Sequence, residues 1–107
     1  NQRFIVIVKN DGAIANLQND AMVEVVAELG INGPRPMRVG TIPQFYYGLL
    51  AQQESCKKLI VDAYYEHSYQ KALEAFTLNR LINDAKKARE LLDALVEANK
   101  GQWTELK

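Results

Sequence analysis

The chain changes its hydrophobic period once. Residues Arg3 to Lys9 carry the β-branched and aromatic run Phe4-Ile5-Val6-Ile7-Val8, and the turn formers Asn10-Asp11-Gly12 follow at once, which predicts a strand ending in a tight turn. A second strand is predicted over Ala21 to Ala27, where Met22-Val23-Glu24-Val25-Val26 mixes β-branched residues with one acid before Gly30. The stretch Ile31 to Pro36 holds two prolines, each lacking a donor, and is expected to continue neither strand nor helix. A short third strand, Met37 to Gly40, is expected after it.

From Thr41 onward the period is helical. Thr41 is the expected N-cap of a long helix, with Pro43 in its first turn. Phe45, Leu49, Cys56, Leu59, Ile60, Ala63, Tyr64 and His67 recur at three- and four-residue steps and define its expected buried face. Ser68 is the expected cap of a helix containing Tyr69, Ala72, Leu73 and Phe76. Asn83 or Asp84 caps a last helix, with Ala88, Leu91, Leu92, Leu95 and Val96 facing inward until Gly101. The fold class is therefore α+β: short mixed or antiparallel strands in the N-terminal third, then three helices. No linker or repeat separates the segments, so residues 1–107 are expected to form a single unit, strand-rich over 1–40, helical over 41–101, with a tail at 102–107.

Composition narrows the function classes. The 107 residues are 48% hydrophobic and 24% charged, ordinary values for a folded domain. Thirteen Lys and Arg balance thirteen Asp and Glu, which leaves no global field for a polyanion, so a nucleic-acid partner is not expected. The longest apolar run is far below the roughly 20 residues that cross a bilayer, so no membrane partner is expected. The one cysteine, Cys56, cannot form an internal disulfide, which suits a reducing cytoplasm. The start, Asn1-Gln2-Arg3, leads straight into a strand and suggests an excision from a longer chain, whose missing part would complete the sheet.

Candidate chemistry is sparse. The six glycines are scattered, and no fingerprint lets a backbone approach a pyrophosphate. Cys56 and His67 are the soft and imidazole donors, but eleven positions of helix separate them by roughly 16 Å, too far to share an ion, and buried packing is expected of both. Five tyrosines fall as Tyr46-Tyr47, Tyr64-Tyr65 and Tyr69, a pattern of core or interface. Arg35 and Arg38 flank Pro36 beside a loop and are the candidates for binding an anionic substrate group. No catalytic, cofactor or metal residue is assigned.

Particular words in the sequence go further. The run Lys9-Asn10-Asp11-Gly12-Ala13-Ile14-Ala15-Asn16-Leu17-Gln18-Asn19-Asp20-Ala21-Met22-Val23-Glu24-Val25 resembles the N-x-G-x-I-x-N-L-P-x-D-A-x-V-E-V segment of the NAD- and metal-dependent family 4 glycoside hydrolases. Gly33-Pro34-Arg35-Pro36 through Gly40-Thr41-Ile42-Pro43 is similar to that family's G-P-x-P-x-x-x-G-x-I-P, and Ala75-Phe76-Thr77-Leu78-Asn79-Arg80 to its A-F-T-L-N-R. The ending Glu97 to Lys107 resembles the 6-phospho-α-glucosidase branch. Gln18 and Val26 stand where the family usually has proline.

The resemblance implies the C-terminal domain of a lactate/malate dehydrogenase-like glycosidase, one that replaces the usual carboxylate pair with NAD-dependent oxidation and elimination. It implies NAD and a divalent metal, typically manganese, in the parent, a phosphorylated disaccharide as substrate, and a homo-oligomer. The family's nucleotide loop, Cys and His metal ligands, catalytic Asp and tyrosine base all lie upstream of the matched region. The piece itself is therefore expected to be inactive, to bind no cofactor, and to contribute a cleft wall and an oligomer interface. The alternatives are a 6-phospho-β-glucosidase of the same family and a non-catalytic helical interaction module.

Overall fold

A computed structural model describes residues 2–107. The order is β1 (Gln2–Lys9), β2 (Met22–Gly30), β3 (Gly33–Pro36), α1 (Gln44–Glu66), α2 (Tyr69–Leu78) and α3 (Ala85–Ala98), an α+β arrangement as expected. The strands form one antiparallel sheet in the order β1-β2-β3. Gln2 lies opposite Leu29 and Lys9 opposite Met22, so Ile5 faces Val26 and Ile7 faces Glu24. Burial in β2 alternates strictly: Val23, Val25 and Ala27 are buried while Met22, Glu24 and Val26 are exposed. That is the two-residue period of a sheet with one covered face.

The third strand is not the one expected. It is Gly33–Pro36, the segment the prolines were thought to exclude, joined to β2 by the two-residue loop Ile31-Asn32 with Gly33 at φ +95°. Arg35 lies opposite Glu28, and Pro34 and Pro36 lie opposite Leu29 and Ala27. Residues two apart in a strand turn their nitrogens the same way, so both prolines direct theirs away from β2, where no ladder bond is lost. Residues 37–40 instead lie beside the β1–β2 loop: the Val39 N–H donates to the Ala13 carbonyl (2.7 Å), and the Ala15 N–H to the Gly40 carbonyl (2.9 Å).

The covered face packs against Ile14, Leu17 and Ala21 of the β1–β2 loop, with Val8, Ile42 and Tyr47 around them. Contacts divide the chain into two compact units, 1–49 and 50–107, and the boundary falls inside α1. The buried residues form two clusters, and the sheet's own loop fills the first of them.

In the second unit Ala63, Ala72 and Leu92 form the buried centre, flanked by Ile60, Tyr69, Leu73, Phe76 and Leu106. The α2 and α3 caps are those expected. Ser68 Oγ accepts from the Lys71 N–H (3.2 Å), and an Asp84 carboxylate oxygen accepts from the Lys86 and Lys87 N–H groups. The start of α1 differs. The Tyr47 N–H donates to the Pro43 carbonyl (3.0 Å), so helical bonding opens two residues past Thr41. The buried faces are also narrower than expected: in α1 only Cys56 and Ala63 are buried, and in α3 only Ala88 and Leu92. Phe45, Tyr64, Leu91, Leu95 and Val96 are exposed among the described residues. Residues 104–107 run back beside the end of α1, where the Lys107 N–H donates to the His67 carbonyl (2.8 Å) and the Tyr69 N–H to the Lys107 carbonyl (3.0 Å).

Candidate functional site

The most constrained polar group is Asn10, only 1% exposed. Its amide Nδ2 donates to the carbonyls of Ile14, Leu17 and Gln18, each at 3.0 Å, and its Oδ1 accepts from the Ile14 N–H at 2.7 Å. Its backbone is equally committed, with the N–H on the Ala21 carbonyl (2.7 Å) and the carbonyl accepting from Ala13 (2.8 Å). The β1–β2 connection is too long for a tight hairpin, and its buried backbone groups need partners that no ladder supplies. One asparagine side chain supplies several of them. Sequence reasoning took Asn10 for a plain turn former; the clue it passed over was a loop with apolar residues at Ile14 and Leu17, whose burial leaves backbone groups in need of partners.

Asn16 repeats the device at the loop's far side. Its Oδ1 accepts from the Ile42 N–H (3.0 Å) and its Nδ2 donates to the Ile42 carbonyl (3.1 Å), tying the loop to the segment that leads into α1. Arg38 closes the third side: Nη1 donates to the Gly12 carbonyl (3.1 Å), and a β-carbon added at Gly12 would lie 2.8 Å from that nitrogen. Gly12 sits at φ +86°, and that left-handed backbone is what favours glycine there, since the tip of Arg38 could shift aside.

Arg35, the other candidate, donates through Nη2 to Glu28 Oε2 on the neighbouring strand (2.5 Å), and Arg3 lies 3.7 Å from the other oxygen of the same carboxylate. The Arg35 hydrogen bond and charge, with Arg3 helping, hold the Glu28 carboxyl below the usual range. The two arginines are therefore not brought together: one grips the loop and the other sits on β3 against Glu28.

Cys56 is buried, as expected, and desolvation pushes its thiol pKa up, the opposite of an activated nucleophile. His67 departs from expectation. It is exposed at φ +56°, the left-handed residue that ends α1, with Nδ1 2.7 Å from Thr104 Oγ1 and 3.1 Å from the Glu105 carbonyl. Helix termination, not face periodicity, places it. Tyr69 donates its hydroxyl to Asp93 Oδ1 (2.6 Å), which joins α2 to α3 and raises the phenol pKa. Tyr46 and Tyr65 are exposed, Tyr64 stacks beside Trp103 with ring centroids 5.4 Å apart, and Tyr47 packs on the first cluster.

Among the described residues no three His, Cys, Asp or Glu side chains converge as a metal site would need. Among the described residues no glycine-rich turn joins a strand to a helix as a dinucleotide would require. An apolar cleft of about 940 Å³ opens in the second unit, lined by Ile60, Phe76, Leu92, Leu95, Val96 and Leu106 among others. Its rim also carries the polar residues Glu97, Asn99, Lys100, Gln102, Thr104 and Glu105.

The polar side chains described above, Asn10, Asn16 and Arg38, tie the loop of the first unit to its neighbours. The chain belongs to the family described as the family 4 glycosyl hydrolase C-terminal domain, matched over residues 1–82. It is 51% identical over 106 residues to phospho-α-glucosidase PagL of Clostridium acetobutylicum, covering 99% of this chain and 24% of the relative. It is likewise 51% identical over 105 residues to maltose-6′-phosphate glucosidase of Bacillus subtilis, covering 98% and 23%. Its fold matches a crystal structure of a 6-phospho-α-glucosidase from gut microorganisms in complex with NAD and Mn²⁺ at TM-score 0.96 and 80% identity, over 100% of this chain and 25% of that one. Similarity to a probable 6-phospho-β-glucosidase of Bacillus subtilis is lower, 37% over 91 residues. The chain thus spans about a quarter of the length of the relatives it matches.

Proposed function

We propose that this chain is the C-terminal portion of a 6-phospho-α-glucosidase that hydrolyses phosphorylated disaccharides by NAD-dependent oxidation and elimination. The observation that carries the reading is the gap between 51% identity to a phospho-α-glucosidase and 37% to a probable β-enzyme, since both comparisons span most of this chain. In this reading NAD and a divalent metal, manganese in the structure of the similar enzyme, are held by the rest of the polypeptide, which is supported by the lack of any cluster of three His, Cys, Asp or Glu side chains among the described residues. The domain supplies a wall of the sugar-phosphate cleft. Arg35 and Arg38 are its candidates for the phosphate; each spends one terminal nitrogen on Glu28 or on Gly12.

The exposed apolar and aromatic residues Val61 and Tyr65 of α1 contribute to an interface between copies of the enzyme. A cytoplasmic location agrees with a single buried cysteine and with the lack of any helix long and apolar enough to cross a membrane among the described residues. The test is to express the complete reading frame and assay chromogenic 6-phospho-α- and 6-phospho-β-glucosides with NAD and Mn²⁺. Turnover of the α-anomer that disappears when NAD or metal is withdrawn is the expected result. Preference for the β-anomer would establish the alternative reading, and turnover without NAD would overturn the reaction class.

A further inference from the structure

The two edges of the sheet are treated differently. At the β3 edge Pro34 and Pro36 direct their nitrogens outward, so that edge offers few donors to another strand, a common way for proteins to blunt an edge. The β1 edge has no such protection. The bond from the Asn10 N–H to the Ala21 carbonyl and the continuous register from Lys9–Met22 to Gln2–Leu29 fix the alternation of the ladder. Phe4, Val6 and Val8 turn their backbone groups toward β2. Arg3, Ile5, Ile7 and Lys9 turn theirs outward. Among the described residues, no backbone bond formed outside the sheet and helices uses those outward groups.

The side chains at these positions point the same way energetically. Ile5 and Ile7 are 68% and 69% exposed; on the same face of β2, exposed Val26 lies opposite Ile5, exposed Glu24 opposite Ile7 and exposed Met22 opposite Lys9. On β1 itself charges stand only at the ends of the run, at Arg3 and Lys9, and the strand contains neither proline nor glycine. A long, regular, apolar edge is an association site unless something covers it.

We infer that the β1 edge receives one further extended strand, and that the strand comes from the portion of the family 4 polypeptide that precedes this domain. About three quarters of each similar enzyme lies outside the matched region, which is that family's C-terminal domain, so a covering segment of the same polypeptide is at hand. Backbone pairing at Arg3, Ile5, Ile7 and Lys9 would provide the affinity, and Ile5 and Ile7 would pack beneath apolar side chains of the added strand. The inference rests on family membership and on the sheet, not on which glucoside is cleaved.

The experiment grafts this chain in place of the matched quarter of the 6-phospho-α-glucosidase to which it is 80% identical, and follows amide hydrogen exchange. The outward amides of Arg3, Ile5, Ile7 and Lys9 are expected to exchange as slowly as the inward amides of Phe4, Val6 and Val8, to within about tenfold, at every protein concentration. Outward amides exchanging more than about a hundredfold faster than inward ones would overturn the inference. So would protection that fades on dilution, since that marks a second copy as the cover. Ile7→Pro removes one outward N–H and no β2 bond. In the graft it should release the exchange of Ile5 and Lys9 while Val6 and Val8 stay slow; unchanged protection at Ile5 and Lys9 would count equally against the added strand.

Discussion

Replacing Asn10 with alanine should cost this domain about 3 kcal/mol, because four hydrogen bonds end on one buried side chain. The losses are unequal. The Ile14 carbonyl also accepts from the Leu17 N–H, and the Gln18 carbonyl from the Ala21 N–H, so both keep a partner. The Ile14 N–H and the Leu17 carbonyl lose the Asn10 amide as their partner and are left inside the loop. At about 1–3 kcal/mol for each stranded group, two groups give about 2–6 kcal/mol, and relaxation or an entering water brings the figure to the lower half of that range.

Asn10→Asp separates hydrogen bonding from packing at nearly constant volume. A carboxylate still accepts from Ile14 but cannot donate to three carbonyls, so the folded state favours the protonated acid and raises its pKa above the unfolded value of about 3.9. The sign follows: the protonated side chain retains a donor, so stability relative to wild type is best below pH ~4 and is lost as pH rises through the raised folded value. Urea unfolding followed by circular dichroism at pH 4 and pH 7 measures both effects. An Asn10→Ala loss under about 1 kcal/mol, or an Asp variant whose deficit does not grow with pH, would refute the claim that this side chain holds the loop together.

Glu28 has a depressed carboxyl pKa, caused first by the Arg35 hydrogen bond, so its contribution is present above the unfolded pKa and is lost as pH falls through the folded one. Glu28→Gln should flatten the acid limb of the stability profile; an unchanged limb would assign the shift no energetic weight. Cys56→Ser should cost about 1–3 kcal/mol by burying a hydroxyl, and the native thiol should resist maleimide until urea is added; rapid labelling would contradict its burial. The isolated 107-residue chain should neither hydrolyse a chromogenic 6-phosphoglucoside nor gain thermal stability from NAD, and either response would place catalytic machinery inside this domain.

What the sequence made legible is what local signals specify. The β-branched runs of β1 and β2, the Ser68 and Asp84 caps and the helical second half each announce themselves within a few residues, and the structure contains them. β3 was hidden because the rule against proline in strands is a rule about ladder bonds. At an outer edge, with prolines two residues apart, both nitrogens face away from the partner strand and the rule has no force. The helical faces were overestimated for a related reason. Spacing shows which residues share a stripe, and it does not show how much of the stripe a neighbour covers, so Leu91, Leu95 and Val96 were assigned to a core that reaches only Ala88 and Leu92.

Asn10 poses the harder problem, because the rule that misread it was correct: Asn10-Asp11-Gly12 does turn the chain, with Asp11 at φ +41° and Gly12 at φ +86°. The turn required only the positive φ angles that follow it. What required an asparagine was the pairing of backbone groups near Ile14, Leu17 and Gln18, up to eight residues away. A loop that buries Ala13, Ile14 and Leu17 must also satisfy the peptide groups between them, and an amide is the smallest side chain that both donates twice and accepts. Asking where those peptide groups find partners, before asking which turn the residues favour, would have singled out Asn10 and then Asn16 from the sequence. The same question set to β1 finds no backbone partner for its outward peptide groups among the described residues, and that is the physical reason to look for the covering strand elsewhere in the polypeptide.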